Sequence, residues 1–205
     1  MSNFEYVDII YRSRVTLLDI LESRGYDVAT YRKFSPAEVS IAIESFPSLS
    51  FNVVKKTDAT QECQIKYAKL SRQKIDTPFQ DIEDDAVKRT EVIVMMMEPL
   101  ADIHHNTAYR QYMTRGLRVT FFNINTIVNN PLNHIMVPKH EIVHVDAHKE
   151  LIESLLITSK SKLPLIRFHI DPIVRCIGAV PGDIIKITRT SPSAGEYIVY
   201  RLVSQ

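Results

Sequence analysis

The chain has 205 residues, of which 45% are hydrophobic and 24% are charged, and its formal net charge is +1. This length allows one large or two small domains, while the low net charge excludes a protein that binds nucleic acid through bulk electrostatics alone. The longest apolar run, Val92–Met97, is too short to cross a bilayer, and the first residues lack a signal-peptide pattern, so no membrane association is expected. Cys63 and Cys176 lack CxxC spacing and are expected to be buried thiols in a reducing compartment.

The N-terminal part predicts a mixed α/β domain. Helical periodicity and capping residues predict helices at about 6–21, 35–45, 76–89 and 106–115. β-prone runs predict strands at about 49–53, 63–67, 92–97 and 117–124. The start of the second helix is the clearest, because Ser35, Pro36 and Glu38 fit a capping box. The strand at 92–97 is apolar throughout, which is typical of a central strand buried on both faces.

The C-terminal part predicts a smaller α+β domain. A boundary is expected after Val137, which divides the chain into domains at 1–137 and 138–205. Asp146 fits the cap of a helix that extends to about Ser159. The apolar residues of this helix are expected to form one buried stripe: Leu151, Ile152, Leu155 and Leu156.

Two further elements are predicted near the C-terminus. Asp171 and Pro172 predict the start of a brief helix that ends at Gly178. Strands at 184–188 and 197–203, joined by a turn at 191–195, predict a β-hairpin.

The segment HEIVH at residues 140–144 matches the signature of zinc metallopeptidases. That chemistry needs a helix, on which His140 and His144 would bind one zinc ion while Glu141 activates water. Here the segment is rich in β-branched residues and the best helix cap, Asp146, follows it, so an extended strand is predicted. On a strand the two histidines would be separated by roughly 13 Å. A zinc metallohydrolase that uses these three residues remains the alternative from another functional class.

Other patterns with possible chemistry are absent from the sequence. No lysine follows Asp or Glu by two positions, so the acidic–lysine pair common in metal-dependent nucleases is missing. No GxGxxG or phosphate-binding loop occurs. His104 and His105 are expected in a solvated loop, and Glu83–Asp85 on a solvated helix face. No catalytic residue, metal or cofactor is therefore assigned to this chain.

A polar loop follows the last predicted strand of the first domain. Amide and hydroxyl side chains beside a strand end can contact the phosphate backbone of DNA, although a plain connecting loop fits the pattern equally well. The residues that would make such contacts are Asn125, Thr126, Asn129, Asn130 and Pro131.

The C-terminal third carries a specific series of motifs at Val137–Val143, Leu163–Ile166, Asp171–Arg189 and Ser191–Val203. In order and spacing it resembles the C-terminal domain of the fifth-largest subunit of eukaryotic RNA polymerases and the small archaeal homologue of that domain. The matching residues are Leu163, Pro164, Ile166, Asp171, Pro172, Gly178, Gly182, Lys186, Ile187, Arg189, Ser191, Gly195, Tyr197, Tyr200 and Arg201. Two departures are Leu165, where the family has an arginine, and Cys176-Ile177, where an aromatic–apolar pair is common.

The resemblance is weaker in the first domain, where Ser23–Val28 and two of the strand segments match. It implies an N-terminal jaw domain with an inactive nuclease-like fold, and a small C-terminal assembly domain. The implied function is that of a non-catalytic polymerase subunit that docks on the largest subunit, contacts other subunits and weakly contacts downstream duplex DNA. A homo-oligomer is not expected.

The expected subunit interface combines the matched motif residues with nearby arginines. Its members are Leu163, Pro164, Arg167, Asp171, Pro172, Arg175, Arg189, Tyr197, Tyr200 and Arg201. The divergence from the family, with no nuclear localisation signal, suggests a copy encoded by a large cytoplasmic DNA virus. The expected location is the host cytoplasm and virion for a viral protein, or the nucleus for a cellular one.

Overall fold

The chain divides into two compact units, residues 1–130 and 131–205. The computed structural model describes residues 3–70, 74–83, 86–87, 89–191, 193 and 195–205. None of the described helices is both long enough and apolar enough to cross a membrane.

Unit 1 is a four-stranded sheet with helices. Its helices are α1 (Asn3–Ser23), α2 (Pro36–Ala42) and α3 (Asp102–Arg115). Its strands are β1 (Phe51–Val54), β2 (Glu62–Tyr67), β3 (Thr90–Met96) and β4 (Arg118–Asn123). The strand order is β1-β2-β3-β4, with β1 antiparallel to β2 and the other pairs parallel.

Strand β3 forms the centre of the core of unit 1. All of its residues are buried, and it pairs with β2 on one side and β4 on the other. A parallel strand covered on both faces is typically a nearly continuous apolar run, and β3 has this character from Val92 to Met96. The prediction of a central buried strand is therefore confirmed.

Local capping patterns define the start of α2. The Ser35 hydroxyl accepts a hydrogen bond from the Glu38 amide at 3.3 Å, and the Glu38 carboxylate accepts one from the Ser35 amide at 2.6 Å. These reciprocal bonds satisfy amide groups that have no partner within the helix. The predicted capping box is confirmed, although the helix ends at Ala42 instead of Ser45.

The prediction of a solvated loop at His104 and His105 is wrong. Both residues lie in α3, which begins at Asp102. His104 Nδ1 lies 3.0 Å from the amide nitrogen of Ala101, so the imidazole serves as a cap at the helix start. Its ring is buried and packs edge-on against Phe121, 5.3 Å between centroids. Because of this tertiary packing, α3 begins at Asp102 and not at the predicted residue 106.

The predicted helix at 76–89 is also wrong for the described residues. Only a 3-10 turn at Thr77–Phe79 forms, and the exposed Glu83 lies outside any helix. Residues 84, 85 and 88 lie outside the described part of the chain. Phe79 and Ile82 are buried in the core, and Arg115 donates a hydrogen bond to the Ile82 carbonyl at 2.5 Å. Tertiary contacts thus take the place of helical hydrogen bonds here.

Unit 2 contains a second four-stranded sheet and two short helices. The helices are α4 (His148–Ser154) and α5 (Pro172–Ile177). The strands are β5 (Lys139–Ile142), β6 (Leu165–Arg167), β7 (Ile184–Ser191) and β8 (Gly195–Ser204). The order is β5-β7-β8-β6, and β6 is parallel to β8. The predicted hairpin is confirmed as the antiparallel pair β7–β8.

The division between the units lies at Asn130–Pro131, earlier than the predicted boundary after Val137. The reason is a 3-10 turn at Pro131–Asn133 that contacts α5, so these residues belong to the second unit.

The predicted buried stripe of α4 is wrong. The helix spans only residues 148–154, and none of these described residues is buried. Asp146 does not cap it; its carboxylate instead lies 3.1 Å from His144 Nδ1. Leu155 and Leu156, which follow the helix, are both exposed. Leu156 adopts a left-handed backbone conformation, which ends the helix well before Ser159.

Candidate functional site

The HEIVH segment forms the edge strand β5 and the residues that follow it. His140 pairs with Ile187 and Glu141 with Lys186, so their side chains point to opposite faces of the sheet. His144 also has an extended backbone, with φ −60° and ψ 142°. The predicted strand is confirmed, and this geometry separates the ligands that a zinc site would need to bring together.

The side chains of this segment have structural partners. His140 Nδ1 lies 2.7 Å from the Pro138 carbonyl, and Lys139 donates to the Glu141 carboxylate at 2.7 Å. The hydrogen bond from Lys139 lowers the pKa of Glu141, which is the reverse of what a general base working near neutral pH requires. Among the residues that the structure describes, no group of three His, Cys, Asp or Glu could hold a metal ion. The zinc hypothesis gains no support.

Three of the candidate interface residues lie on α5. The Asp171 carboxylate caps the helix by accepting from the amides of Ile173 and Val174, at 2.8 and 3.2 Å. Pro172 occupies the first helical position and is exposed. Arg175 is partly buried, and this burial lowers the pKa of its guanidinium. Asp171 therefore builds the helix, while Pro172 is the member of this group that a partner can reach.

The β7–β8 hairpin carries four more candidates. Arg189 pairs with Tyr197 across the two strands, so these exposed side chains lie next to each other on one face. Alternation along β8 places Arg201 on that same face and Tyr200 on the opposite one. The structure thus brings Arg189 and Tyr197 together but separates Tyr200 from them.

The remaining candidates, Leu163, Pro164 and Arg167, lie just before β6 and at its last residue. Leu163 is buried, whereas Pro164 and Arg167 are exposed. The carbonyl of Pro164 accepts from the Leu202 amide at 2.9 Å, and Arg201 donates to the Leu165 carbonyl at 2.9 Å. Leu163 belongs to the core of unit 2, while the hydrogen bond from Arg201 helps to hold β6 beside β8.

Exposed apolar side chains are concentrated in unit 2. Among the described residues, ten of the fourteen exposed large hydrophobic residues belong to it, although it is the smaller unit. They are Ile135, Met136, Ile142, Val145, Leu155, Leu156, Leu165, Ile170, Tyr197 and Ile198. This distribution favours unit 2 over unit 1 as the part of the chain that another protein contacts. Sequence periodicity did not reveal it, because a residue pattern does not distinguish a core from an interface.

The polar loop is anchored to α1 of unit 1. The Asn123 side chain accepts from the Asn125 amide at 2.9 Å, and Thr126 donates to the Asn123 carbonyl at 2.8 Å. Arg12 donates to the Asn129 side chain at 3.0 Å. Asn125, Thr126 and Asn129 are exposed.

The unit boundary and a nearby arginine both affect which residues of this loop can act together. The division between the units separates Asn130 from Pro131, so the five predicted residues do not form one site within a single unit. Arg12, which the sequence pattern did not single out, adds a cation to the part in unit 1, and it also lies 3.7 Å from the Asp8 carboxylate.

A buried ionic cluster in unit 1 was not predicted. Glu91, at the start of β3, is 4% exposed and is bonded to Arg24. It accepts a hydrogen bond from the Tyr26 hydroxyl at 3.1 Å and lies 3.7 Å from Arg118. The only sequence signal was a charged residue at the edge of an apolar run.

Burial and charge act against each other in this cluster. Burial is the largest influence on Glu91 and would raise its pKa, but the nearby charges of Arg24 and Arg118, with the hydrogen bonds, hold the pKa below its ordinary value. Burial, assisted by the negative charge of Glu91, raises the pKa of Tyr26. Glu91 therefore stays ionised at neutral pH and has a structural role.

Comparison with known proteins gives matches in both units. The family described as RNA polymerase Rpb5, C-terminal domain, matches residues 129–203. The DNA-directed RNA polymerase subunit Rpo5 of Sulfolobus acidocaldarius is 51% identical over 71 residues, which cover 35% of this chain and 82% of the relative. The subunit Rpo5 of Archaeoglobus fulgidus is also 51% identical over 71 residues, which cover 91% of the relative and 35% of this chain.

A relative from Dictyostelium discoideum matches almost the whole chain. It is named DNA-directed RNA polymerases I, II, and III subunit rpabc1 and is 26% identical over 207 residues, covering 97% of this chain and 98% of the relative. The family match at residues 129–203 lies almost wholly within unit 2, the archaeal matches have a similar length of 71 residues, and the Dictyostelium match covers both units. The chain belongs to the Rpb5 (Rpo5) family of DNA-directed RNA polymerase subunits.

Proposed function

We propose that this chain is a non-catalytic subunit of a multisubunit DNA-directed RNA polymerase and that unit 2 assembles it with the other subunits. The observation that carries the proposal is the concentration of exposed apolar side chains in unit 2. The family model for the polymerase C-terminal domain matches residues 129–203, and the archaeal relatives named as polymerase subunits match 71 residues of this chain over 82–91% of their own length. A protein that consists almost entirely of this unit is therefore sufficient to be a subunit. Transcription chemistry is assigned to other subunits.

The proposed contact for the largest subunit is the exposed part of the predicted interface. Arg167, Pro172, Arg189 and Tyr197 are accessible, and Arg189 and Tyr197 adjoin each other on the hairpin. Tyrosine and arginine combine apolar contact area with hydrogen bonding and are enriched at binding hot spots.

Co-purification tests the subunit proposal. The tagged full chain, expressed with the polymerase subunits of its source organism, is expected to recover the large subunits at equal stoichiometry. Recovery of the tagged chain alone would contradict the proposal. Tyr197→Ser should reduce recovery, and Met113→Ser in unit 1 is a matched control, since the two native side chains are 58% and 59% exposed.

Unit 1 is proposed to be the jaw domain that lies beside downstream DNA. The Dictyostelium relative, which spans both units, supports the presence of this domain in a polymerase subunit. The proposed contact is weak and local: Asn125, Thr126 and Asn129 offer polar groups, and Arg12 offers one positive charge. A single cation and a few amides fit phosphate positioning and not sequence readout.

A salt titration tests this contact. In the assembled polymerase, Arg12→Ala is expected to weaken binding to downstream duplex and to reduce the magnitude of the slope of log affinity against log salt by about 1. Arg110→Ala is the matched control, because Arg110 is an exposed arginine of the same unit that pairs with Asp76, as Arg12 pairs with Asp8, but lies outside the loop. Equal slopes for Arg12→Ala and the unsubstituted protein would contradict a phosphate contact.

The predicted viral origin and cellular location stay predictions.

A further inference from the structure

Helix α4 ends in a left-handed turn at Leu156, a position where glycine is the usual residue. The Leu156 amide donates to the Glu153 carbonyl at 3.1 Å, and the Ile157 amide donates to the Ile152 carbonyl at 3.2 Å. These two bonds form a Schellman motif, which requires a positive φ at its central residue. Leu156 has φ +54°, a conformation in which a side chain is strained against its own backbone.

Within the described part of the chain, no packing of the Leu156 side chain offsets this strain. It is 93% exposed, and the preceding Leu155 is also exposed. Glycine at this position would relieve the strain, and asparagine would tolerate the conformation and be well solvated. Leucine is therefore the less favourable choice for the isolated chain on both backbone and solvation grounds.

Glu153 is a second unfavourable choice at the same end of α4. It lies in the last turn, where the carbonyl end of the helix favours cations, and α4 has no basic residue there. Glu153 is exposed and forms no ion pair with any residue that the structure describes. Two local conflicts within four residues are typical of a segment whose sequence serves a function other than folding.

We propose that Glu153, Leu155 and Leu156, here called the α4 cap, insert into an apolar pocket with a basic rim on a neighbouring polymerase subunit. This inference rests on the proposed function. The occupant is another subunit because the polymerase family model matches residues 129–203, and the archaeal relatives, which match 71 residues over 82–91% of their own length, are themselves named polymerase subunits. Because Glu153 gives the α4 cap a negative charge, a positively charged rim around the partner's pocket is its electrostatic complement.

The experiment separates folding from assembly because the two effects have opposite signs. Leu156→Gly is expected to raise the melting temperature of the purified full chain by about 2–6 °C, since it relieves the left-handed strain. Leu156→Asn and Glu153→Lys should leave the melting temperature unchanged or slightly higher.

Assembly is measured by competition. Untagged variants compete with the tagged unsubstituted chain for a limiting amount of the large polymerase subunits. Leu156→Asn and Leu156→Gly should compete about ten- to a hundredfold less well, as expected for the loss of one buried leucine side chain. Leu156→Met, which keeps an apolar side chain, should compete nearly as well as the unsubstituted chain, and Glu153→Lys should compete less well.

The control is Ile41→Asn, which removes a 72% exposed apolar side chain of unit 1 and should compete normally. A lower melting temperature for Leu156→Gly would overturn the proposal, because it would mean that the side chain packs within the chain. Normal competition by Leu156→Asn, or an equal loss in the control, would also overturn it.

Two further outcomes distinguish failure of the proposed function from failure of the α4 cap proposal. If the unsubstituted chain does not bind the large subunits, the proposed function itself fails. If it binds and the Leu156 variants compete normally, only the α4 cap fails. A dimer of the unsubstituted chain that is lost in Leu156→Asn would overturn the choice of occupant.

Discussion

Removal of the charge of Glu91 is expected to destabilise unit 1 strongly. Glu91→Gln keeps the shape of the side chain but leaves the Arg24 guanidinium, whose side chain is 7% exposed, without a counter-charge. Arg118 contributes less to the loss because its side chain is 34% exposed and remains solvated. Breaking a buried pair by removing one partner typically costs about 3–5 kcal/mol in the free energy of unfolding. A loss in this range would remove much of the stability of an ordinary domain.

A double-mutant cycle gives the interaction itself. Arg24→Met and Glu91→Met should each cost about 3–5 kcal/mol, whereas the double substitution should cost far less than their sum, because it leaves no buried charge unpaired. Asp76→Asn, which removes the partner of the exposed Arg110, is the matched control and should cost less than about 1 kcal/mol.

The assay must report the two units separately. Each unit contains one fully buried cysteine, Cys63 in unit 1 and Cys176 in unit 2. Pulse thiol labelling in a urea series, read by peptide mass spectrometry, therefore follows the unfolding of each unit. The Glu91 variants should shift only the Cys63 transition. A shift below about 1 kcal/mol, or strictly additive single and double variants, would refute the reasoning.

The pH dependence of Glu91 has a defined sign. Its pKa in the folded chain lies below the ordinary value of 4.5, because Arg24 and Arg118 favour the carboxylate despite its burial. Its contribution to stability is therefore present above the ordinary pKa and is lost as the pH falls through the folded pKa. The stability difference between the unsubstituted chain and Glu91→Gln should shrink on acidification below about pH 4. A difference that grows in acid would contradict this account.

Three smaller effects follow from the helix ends, each measured by the same urea titration. Asp171→Ala should lower the free energy of unfolding of unit 2 by about 1 kcal/mol, because it removes the cap of α5. Asp171→Asn, which can still cap the helix, should retain most of the stability. Equal effects of the two substitutions would contradict the capping role. Gly116→Ala should cost about 1 kcal/mol in unit 1, because Gly116 has φ +74° and an added Cβ would contact nothing that offsets the strain. Ser35→Ala should cost about 1 kcal/mol by removing the capping box of α2, and an unchanged midpoint would show that the box contributes nothing.

Local signals in the sequence determined several elements correctly. The capping box at Ser35, the β7–β8 hairpin and the apolar run Val92–Met96 were each predicted from residues close in sequence. The hydrogen bonds of the cap and the hairpin join nearby residues, and a continuous apolar run is itself a local pattern. The motif order of the C-terminal third was also sufficient to identify the family, and the strand at HEIVH was predicted from its β-branched residues.

The tertiary structure alone decided the features that depend on distant residues. Arg24 and Glu91 are 67 positions apart, and no local pattern links them. His104 is buried because Phe121, on a different element, covers its ring. Leu155 and Leu156 have the periodicity of a core helix, yet the described part of the chain leaves both exposed, since α4 ends early in a left-handed turn. Periodicity states which face of a helix is apolar, but only the packed structure decides whether the chain itself or another molecule covers that face.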